Sequence, residues 1–115
     1  MIQKVRTLKK KHLKELKQEL HRVISELTKM GALKIIQFGS SIRDELTITS
    51  DIDLIVIINN CQNYIQRSAE IYKEIMPKHI DLLIYTPIEF KIMKEENLFI
   101  QHILHEGKVI YERKE

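Results

Sequence analysis

Five aliphatic residues in a row, Leu54-Ile55-Val56-Ile57-Ile58, constrain this chain more than any other feature. Side chains of a strand alternate between its two faces, so an unbroken aliphatic run is apolar on both. Such a strand must be covered on each side, which demands a layered fold of sheet and helices. The length of 115 residues matches one domain, expected to span 1–115. Hydrophobic residues make up 43% of the chain, enough for a core of that kind, and 30% charged residues can solvate its surface.

The flanking segments supply the layers. From about Thr7 to Met30 the spacing of Leu13, Leu16, Leu20, Val23, Leu27 and Met30 predicts a helix with one apolar stripe. The stripe covers fewer than three heptads, so it reads as packing on a core rather than as a coiled coil. Gly31 is the expected stop. Ala32–Phe38 reads as a first strand and Ile52–Ile58 as a central second one, ended by Asn59 and Asn60. A helix follows from about Gln62 to Met76, with Ile65, Ala69, Tyr72 and Met76 inward, and Pro77 breaks it. His79–Tyr85 is the third strand. Thr86-Pro87-Ile88-Glu89 is a capping box with proline at the first helical position. That helix is expected to run to about His105, with Ile92, Phe99, Ile100 and Ile103 inward. Gly107 ends it, and Lys108–Tyr111 forms a short last strand. The fold class is α/β (α+β), a small mixed sheet of three to four strands flanked by helices.

Several function classes drop out. No apolar run approaches the roughly 18 residues that span a bilayer. The basic N-terminus lacks the apolar segment of a signal peptide, so a cytoplasmic protein is expected. A single cysteine, Cys61, supports neither an internal disulfide framework nor a cysteine-based zinc site, and reads as structural. His102 and His105 are three apart on a helix, but no third ligand follows. There is no Gly-x-x-x-x-Gly-Lys loop. The net charge is only +3, much of it in Lys4, Arg6, Lys9, Lys10, Lys11, Lys14 and Lys17. That cluster reads as a solvated helix face rather than as a nucleic-acid surface.

Chemistry concentrates between the first two strands. Asp51 and Asp53 lie two apart at the start of the central strand, so their carboxylates share a face. Asp81 is a polar residue in the otherwise apolar run His79-Ile80-Asp81-Leu82-Leu83-Ile84. Alone, Asp51 would read as a turn residue and Asp81 as a satisfied strand polar group. Together they make a carboxylate cluster that cannot ionise cheaply without divalent cations if the third strand lies beside the second. Oxygen-only ligands select magnesium or manganese, and two such ions are the usual clamp for in-line phosphoryl chemistry. Upstream, Gly39 lets backbone approach a ligand closely, and Ser40 would stand at the positive end of a short helix. Arg43 follows one turn later, suited to a polyphosphate, or else an ordinary surface arginine.

Gly39-Ser40, ten residues, Asp51-Ile52-Asp53 and a later strand aspartate, Asp81, resemble the nucleotidyltransferase superfamily of polymerase beta. With Arg43 and Ser50-Asp51-Ile52-Asp53-Leu54 added, the pattern resembles the MNT-type, or minimal, nucleotidyltransferases. One departure is Asp44, where family members often carry glycine after the arginine. The resemblance implies a nucleotidyltransferase fold. It implies that Asp51 and Asp53 hold two Mg²⁺ ions (Mn²⁺ as substitute), and that Asp81 binds the catalytic ion and helps deprotonate an acceptor hydroxyl. Gly39, Ser40, Arg43 and Ser50 would bind the triphosphate of ATP. It also implies a helical HEPN-type partner protein, a toxin that this chain, as antitoxin, would modify with AMP. The length leaves no room for an acceptor-holding domain, which points the same way. The alternatives are a degenerate module that neutralises a partner by contact, and an enzyme acting on a small molecule.

Overall fold

The computed structural model describes residues 2–39 and 52–114, with residues 2–10 described by their backbone alone. The order of elements is α1 (Ile2–Lys29), β1 (Ala32–Phe38), β2 (Ile52–Ile58), α2 (Tyr64–Ile75), β3 (Ile80–Tyr85), α3 (Pro87–Glu96), α4 (Leu98–Glu106) and β4 (Lys108–Glu112). The four strands form one mixed sheet in the order β3-β2-β1-β4. β1 pairs antiparallel with β2 and β4, whereas β2 and β3 run parallel. A parallel pair needs a crossover, and α2 supplies it. The described residues thus form a mixed α/β arrangement, one four-stranded sheet with four helices.

β2 occupies the interior of the sheet, and Leu54, Ile55 and Val56 are each 0% exposed. Leu54, Val56 and Ile58 pack with Leu16, Val23 and Leu27 of α1 and with Ile71 and Ile75 of α2. Ile55 and Ile57 face the other way, onto Phe90 of α3 and Ile100 and Ile103 of α4. The apolar run is therefore covered on both faces. Full burial of such a side chain contributes about 1.5–3 kcal/mol, so β2 is the anchor on which the rest is hung.

Three expectations are corrected. α2 turns a different face inward: Ile65, Ala69 and Met76 are exposed, and Arg67, Ile71 and Ile75 are buried. The reason is Arg67, whose guanidinium donates from Nη1 to the Ile84 carbonyl at 2.9 Å and from Nη2 to the Gln62 carbonyl at 2.8 Å. It also grips Glu89 at 2.7 and 3.2 Å. Burying that charge is tolerable because it is paired and hydrogen-bonded. The long helix expected from Thr86 to His105 is two helices. Asn97 ends α3 in an extended conformation (φ −112°, ψ 113°), and its side chain caps α4 by accepting from the Phe99 and Ile100 N–H groups. The break resets the helical phase, so Ile92 and Phe99, expected inward, are exposed. Cys61 is exposed rather than structural. The capping box of α3 stands as expected: the Glu89 N–H donates to Thr86 Oγ1, and the Thr86 N–H donates to Glu89 Oε1.

Candidate active site

The C-terminal end of β1 and the N-terminal ends of β2 and β3 meet at one end of the sheet. Phe38 pairs with Asp53, and Asp53 pairs in parallel register with Asp81. Asp53 has the strand parity of Ile55 and Ile57, which pack under α3 and α4. Asp81 has the parity of Leu83, which packs against the same cluster. The two carboxylates therefore leave the sheet on one face from adjacent strands, whose backbones lie about 4.8 Å apart. Asp53 is half-buried and Asp81 exposed. The exposed Asp81 carboxylate can be reached by a ligand.

Gly39 completes the corner. Its φ is +83°, a backbone conformation that side chains with a Cβ rarely adopt. A Cβ built there would stand 2.8 Å from Asp53 Oδ2. The glycine backbone thus packs directly against the Asp53 carboxylate. The β2 and β3 ends are tied together as well: the Ile52 N–H donates to the His79 carbonyl at 3.0 Å.

Gly39, Asp53 and Asp81 are the predicted site residues that the described structure brings together. Ser40, Arg43, Ser50 and Asp51, with the divergent Asp44, lie outside the described residues. Among the described residues no group of three His, Cys, Asp or Glu side chains converges to hold a metal. Two adjacent carboxylates with hard oxygen donors nevertheless suit one divalent cation of the magnesium type, which takes one or two carboxylates and fills its remaining positions with water and phosphate. The donor chemistry of Asp53 and Asp81 therefore fits the ion that the motif implies.

Sequence reasoning placed Tyr72 inward but missed the use of its hydroxyl. β3 is an edge strand, and the Leu82 N–H and carbonyl point away from β2. The Leu82 N–H donates to Tyr72 Oη at 2.7 Å, and the Tyr72 hydroxyl donates to the Leu82 carbonyl at 3.3 Å. One side chain thus satisfies an edge residue next to Asp81, where open edges invite unwanted pairing. The Tyr72 hydroxyl is held above its ordinary pKa, first by burial and further by the negative charges of Asp81 and Asp53. Arg67 was missed too, since a lone arginine in a helical stretch looks like solvated surface. Its contact with Glu89 holds the Glu89 carboxyl below its ordinary range. Nothing in local spacing announces that pair, which is 22 residues apart.

No helix among the described residues is long and apolar enough to cross a membrane. No curated relative matches the chain significantly. The fold resembles the crystal structure of a proposed nucleotidyltransferase from Sulfolobus solfataricus, with a TM-score of 0.62 over 89% of this chain and 84% of that one, at 17% identity. The family model described as polymerase beta, nucleotidyltransferase, matches residues 18–115. That span takes in the whole sheet and all of the predicted site residues, and by it the chain belongs to the polymerase beta-type nucleotidyltransferases.

Proposed function

We propose that this protein transfers AMP from ATP to a hydroxyl of a partner protein, and that the partner is a helical HEPN-type toxin which the modification silences. The observation that carries the nucleotidyl-transfer reading is the register of Asp53 and Asp81 on one sheet face, with Gly39 packed against Asp53. In the reaction the acceptor oxygen forms a bond to the α-phosphorus as the bond from that phosphorus to the β-phosphate bridging oxygen breaks. Pyrophosphate leaves with the bonding electron pair, and the hydroxyl proton passes to the Asp81 carboxylate. Asp53 and Asp81, with Asp51, would hold Mg²⁺, which when bound stabilises negative charge on the reacting phosphates. The backbone at Gly39 and the Ser40 hydroxyl would bind the β- and γ-phosphates, with Arg43 and Ser50 beside them.

A protein acceptor is supported by the outer faces of α3 and α4. Ile88, Ile92, Leu98 and Phe99 are all exposed there, and Leu98 is 82% so. Exposed apolar surface, where contiguous, marks sites of protein–protein contact.

The test is incubation of the protein and a co-expressed helical partner with labelled ATP and Mg²⁺, followed by mass measurement of both chains. The expected result is a partner heavier by AMP on a tyrosine, serine or threonine, and no modification with Asp53→Asn although the complex persists. Neutralisation of the partner that survives Asp53→Asn, with no mass change in the wild type, would establish contact-only inhibition instead. AMP found on a small molecule and never on the partner would refute the protein acceptor.

A further inference from the structure

Asp81 stands on an edge strand, yet the start of that strand is clamped from the opposite face of the sheet by α1. The turn between α2 and β3, Met76–His79, contains two non-glycine residues in the left-handed region, with φ of 50° at Met76 and 60° at His79. Residues with a Cβ hold such angles only where surroundings over-determine them. Met76 is the left-handed C-cap of α2, its N–H donating to the Tyr72 carbonyl at 2.8 Å, and α1 side chains hold the same turn from outside. Arg22 Nη2 donates to the Met76 carbonyl at 3.4 Å. The Lys78 N–H donates to Glu19 Oε2 at 2.7 Å, across 59 residues of sequence. Arg22 in turn grips Glu19 at 2.7 and 2.9 Å, which orients that carboxylate. The His12 and His79 rings meet edge to face at 5.6 Å. A cavity of about 380 Å³ between α1 and the turn is lined by His12, Glu19, Arg22, Lys78 and His79 among others.

The chain of contacts leads straight to the site. Glu19 holds the Lys78 amide. The next residue, His79, gives its carbonyl to the Ile52 N–H, the amide immediately before Asp53. Two residues beyond His79 is Asp81. The Glu19–Arg22 pair has the spacing of a helix-surface ion pair, which by itself would be worth little. The Glu19 side chain is only 16% exposed, however, and one of its oxygens serves a distant backbone amide that nothing else in the described structure satisfies.

We propose that Glu19 is a positioning residue for Asp81: by holding the Lys78 amide it fixes where β3 begins and so sets the Asp81 carboxylate beside that of Asp53. This rests on the reading of Asp53 and Asp81 as a shared cation site, and the experiment separates the two. The probe is Mn²⁺, measured by its paramagnetic resonance signal, alongside amide hydrogen exchange at Ile52 and Ile80–Leu82. Glu19→Ala should weaken Mn²⁺ binding by about tenfold, the low end of what outer-shell partners cost, and speed exchange at those amides. Glu19→Gln keeps an acceptor for the Lys78 N–H and should recover part of both. Thr86→Ala, which loosens α3 away from the turn, should leave Mn²⁺ affinity unchanged, so a general loss of stability cannot mimic the effect. Wild-type Mn²⁺ affinity and wild-type exchange in Glu19→Ala would overturn the inference. If the wild type binds no Mn²⁺, or binds it equally well as Asp53→Asn, the cation reading fails, and unchanged exchange in Glu19→Ala would then still sink the clamp.

Discussion

Replacing Gly39 with alanine tests the site without needing its ligand. The substitution imposes two penalties. A left-handed residue with a Cβ carries a steric penalty of about 1–2 kcal/mol, and Gly39 has φ +83°. The new methyl would also stand 2.8 Å from Asp53 Oδ2, so the carboxylate must retreat by about 0.7 Å to reach ordinary contact near 3.5 Å. The first penalty acts on stability: a loss of about 1–2 kcal/mol lowers the thermal midpoint of a domain this size by about 4–8 °C. The second acts on chemistry, since misplacing a reacting group by about 1 Å can cost on the order of a hundredfold in rate. Thermal unfolding and transfer of labelled AMP read the two effects separately. A double-mutant cycle isolates the contact, because in an Asp53→Ala background the carboxylate is gone and only the backbone penalty remains. The coupling between Gly39→Ala and Asp53→Ala should be at least about 0.5 kcal/mol. A wild-type midpoint in Gly39→Ala, or a strictly additive cycle, would falsify the close packing of Gly39 on Asp53.

Arg67→Met removes the cation that binds Glu89, the Ile84 carbonyl and the Gln62 carbonyl. The Glu89 carboxylate left behind is 37% exposed and can be hydrated, so the loss comes mainly from the two carbonyls left unpaired and should be about 2 kcal/mol, read as a lower urea midpoint; a loss below about 1 kcal/mol would show that the pair is dispensable. Tyr72→Phe deletes the hydroxyl that serves both backbone groups of Leu82, and should cost about 1–2 kcal/mol with faster exchange of the Leu82 amide. Unchanged exchange there would count against Tyr72 as the guard of the β3 edge. The Glu89 carboxyl is held below its ordinary value of 4.5, first by its hydrogen bond from Arg67. A depressed carboxylate stabilises the fold fully above its unfolded value and loses that contribution as pH falls through the folded one. The urea midpoint should therefore stay level from neutral pH to about 5 and decline below it, and Glu89→Gln should flatten the decline; an identical profile in the variant would contradict the assignment.

The parts of the fold that were legible in the sequence are those written in local chemistry. An aliphatic run has no other stable place than a covered strand, and Leu54–Ile58 is one. The Thr86–Glu89 capping box is a contact between near neighbours, and it forms. What escaped notice depended on partners far along the chain. Arg67 turns inward because Glu89 and the Ile84 carbonyl await it, and that rotates the buried face of α2 away from Ile65 and Met76. Asn97 stands within a run of good helix formers, yet its side chain caps α4 more effectively than it continues α3. The candidate site divides in the same way. Spacing brought attention to Asp53 and Asp81. Their register could not be read from it, because register depends on which strand neighbours which.

That register gives the proposed reaction a direction. Across the sheet the order is Gly39 at the end of β1, Asp53 on β2, then Asp81 on β3. An in-line displacement needs the attacking oxygen and the leaving group on opposite sides of the phosphorus. With the β- and γ-phosphates at the Gly39 corner, the leaving pyrophosphate lies on the β1 side, and the acceptor must arrive from the β3 side. β3 is the edge of the sheet, and among the described residues no further strand blocks that approach. An edge strand is also the least supported element on which to mount a reacting carboxylate. The contacts around β3 answer that weakness: Tyr72 satisfies Leu82 immediately after Asp81, and the His79 carbonyl binds the Ile52 amide immediately before Asp53. Openness to the acceptor and rigidity of Asp81 are thereby achieved by different groups. Openness comes from the position of β3 in the sheet, and rigidity from side chains and backbone that reach it from α1, α2 and β2.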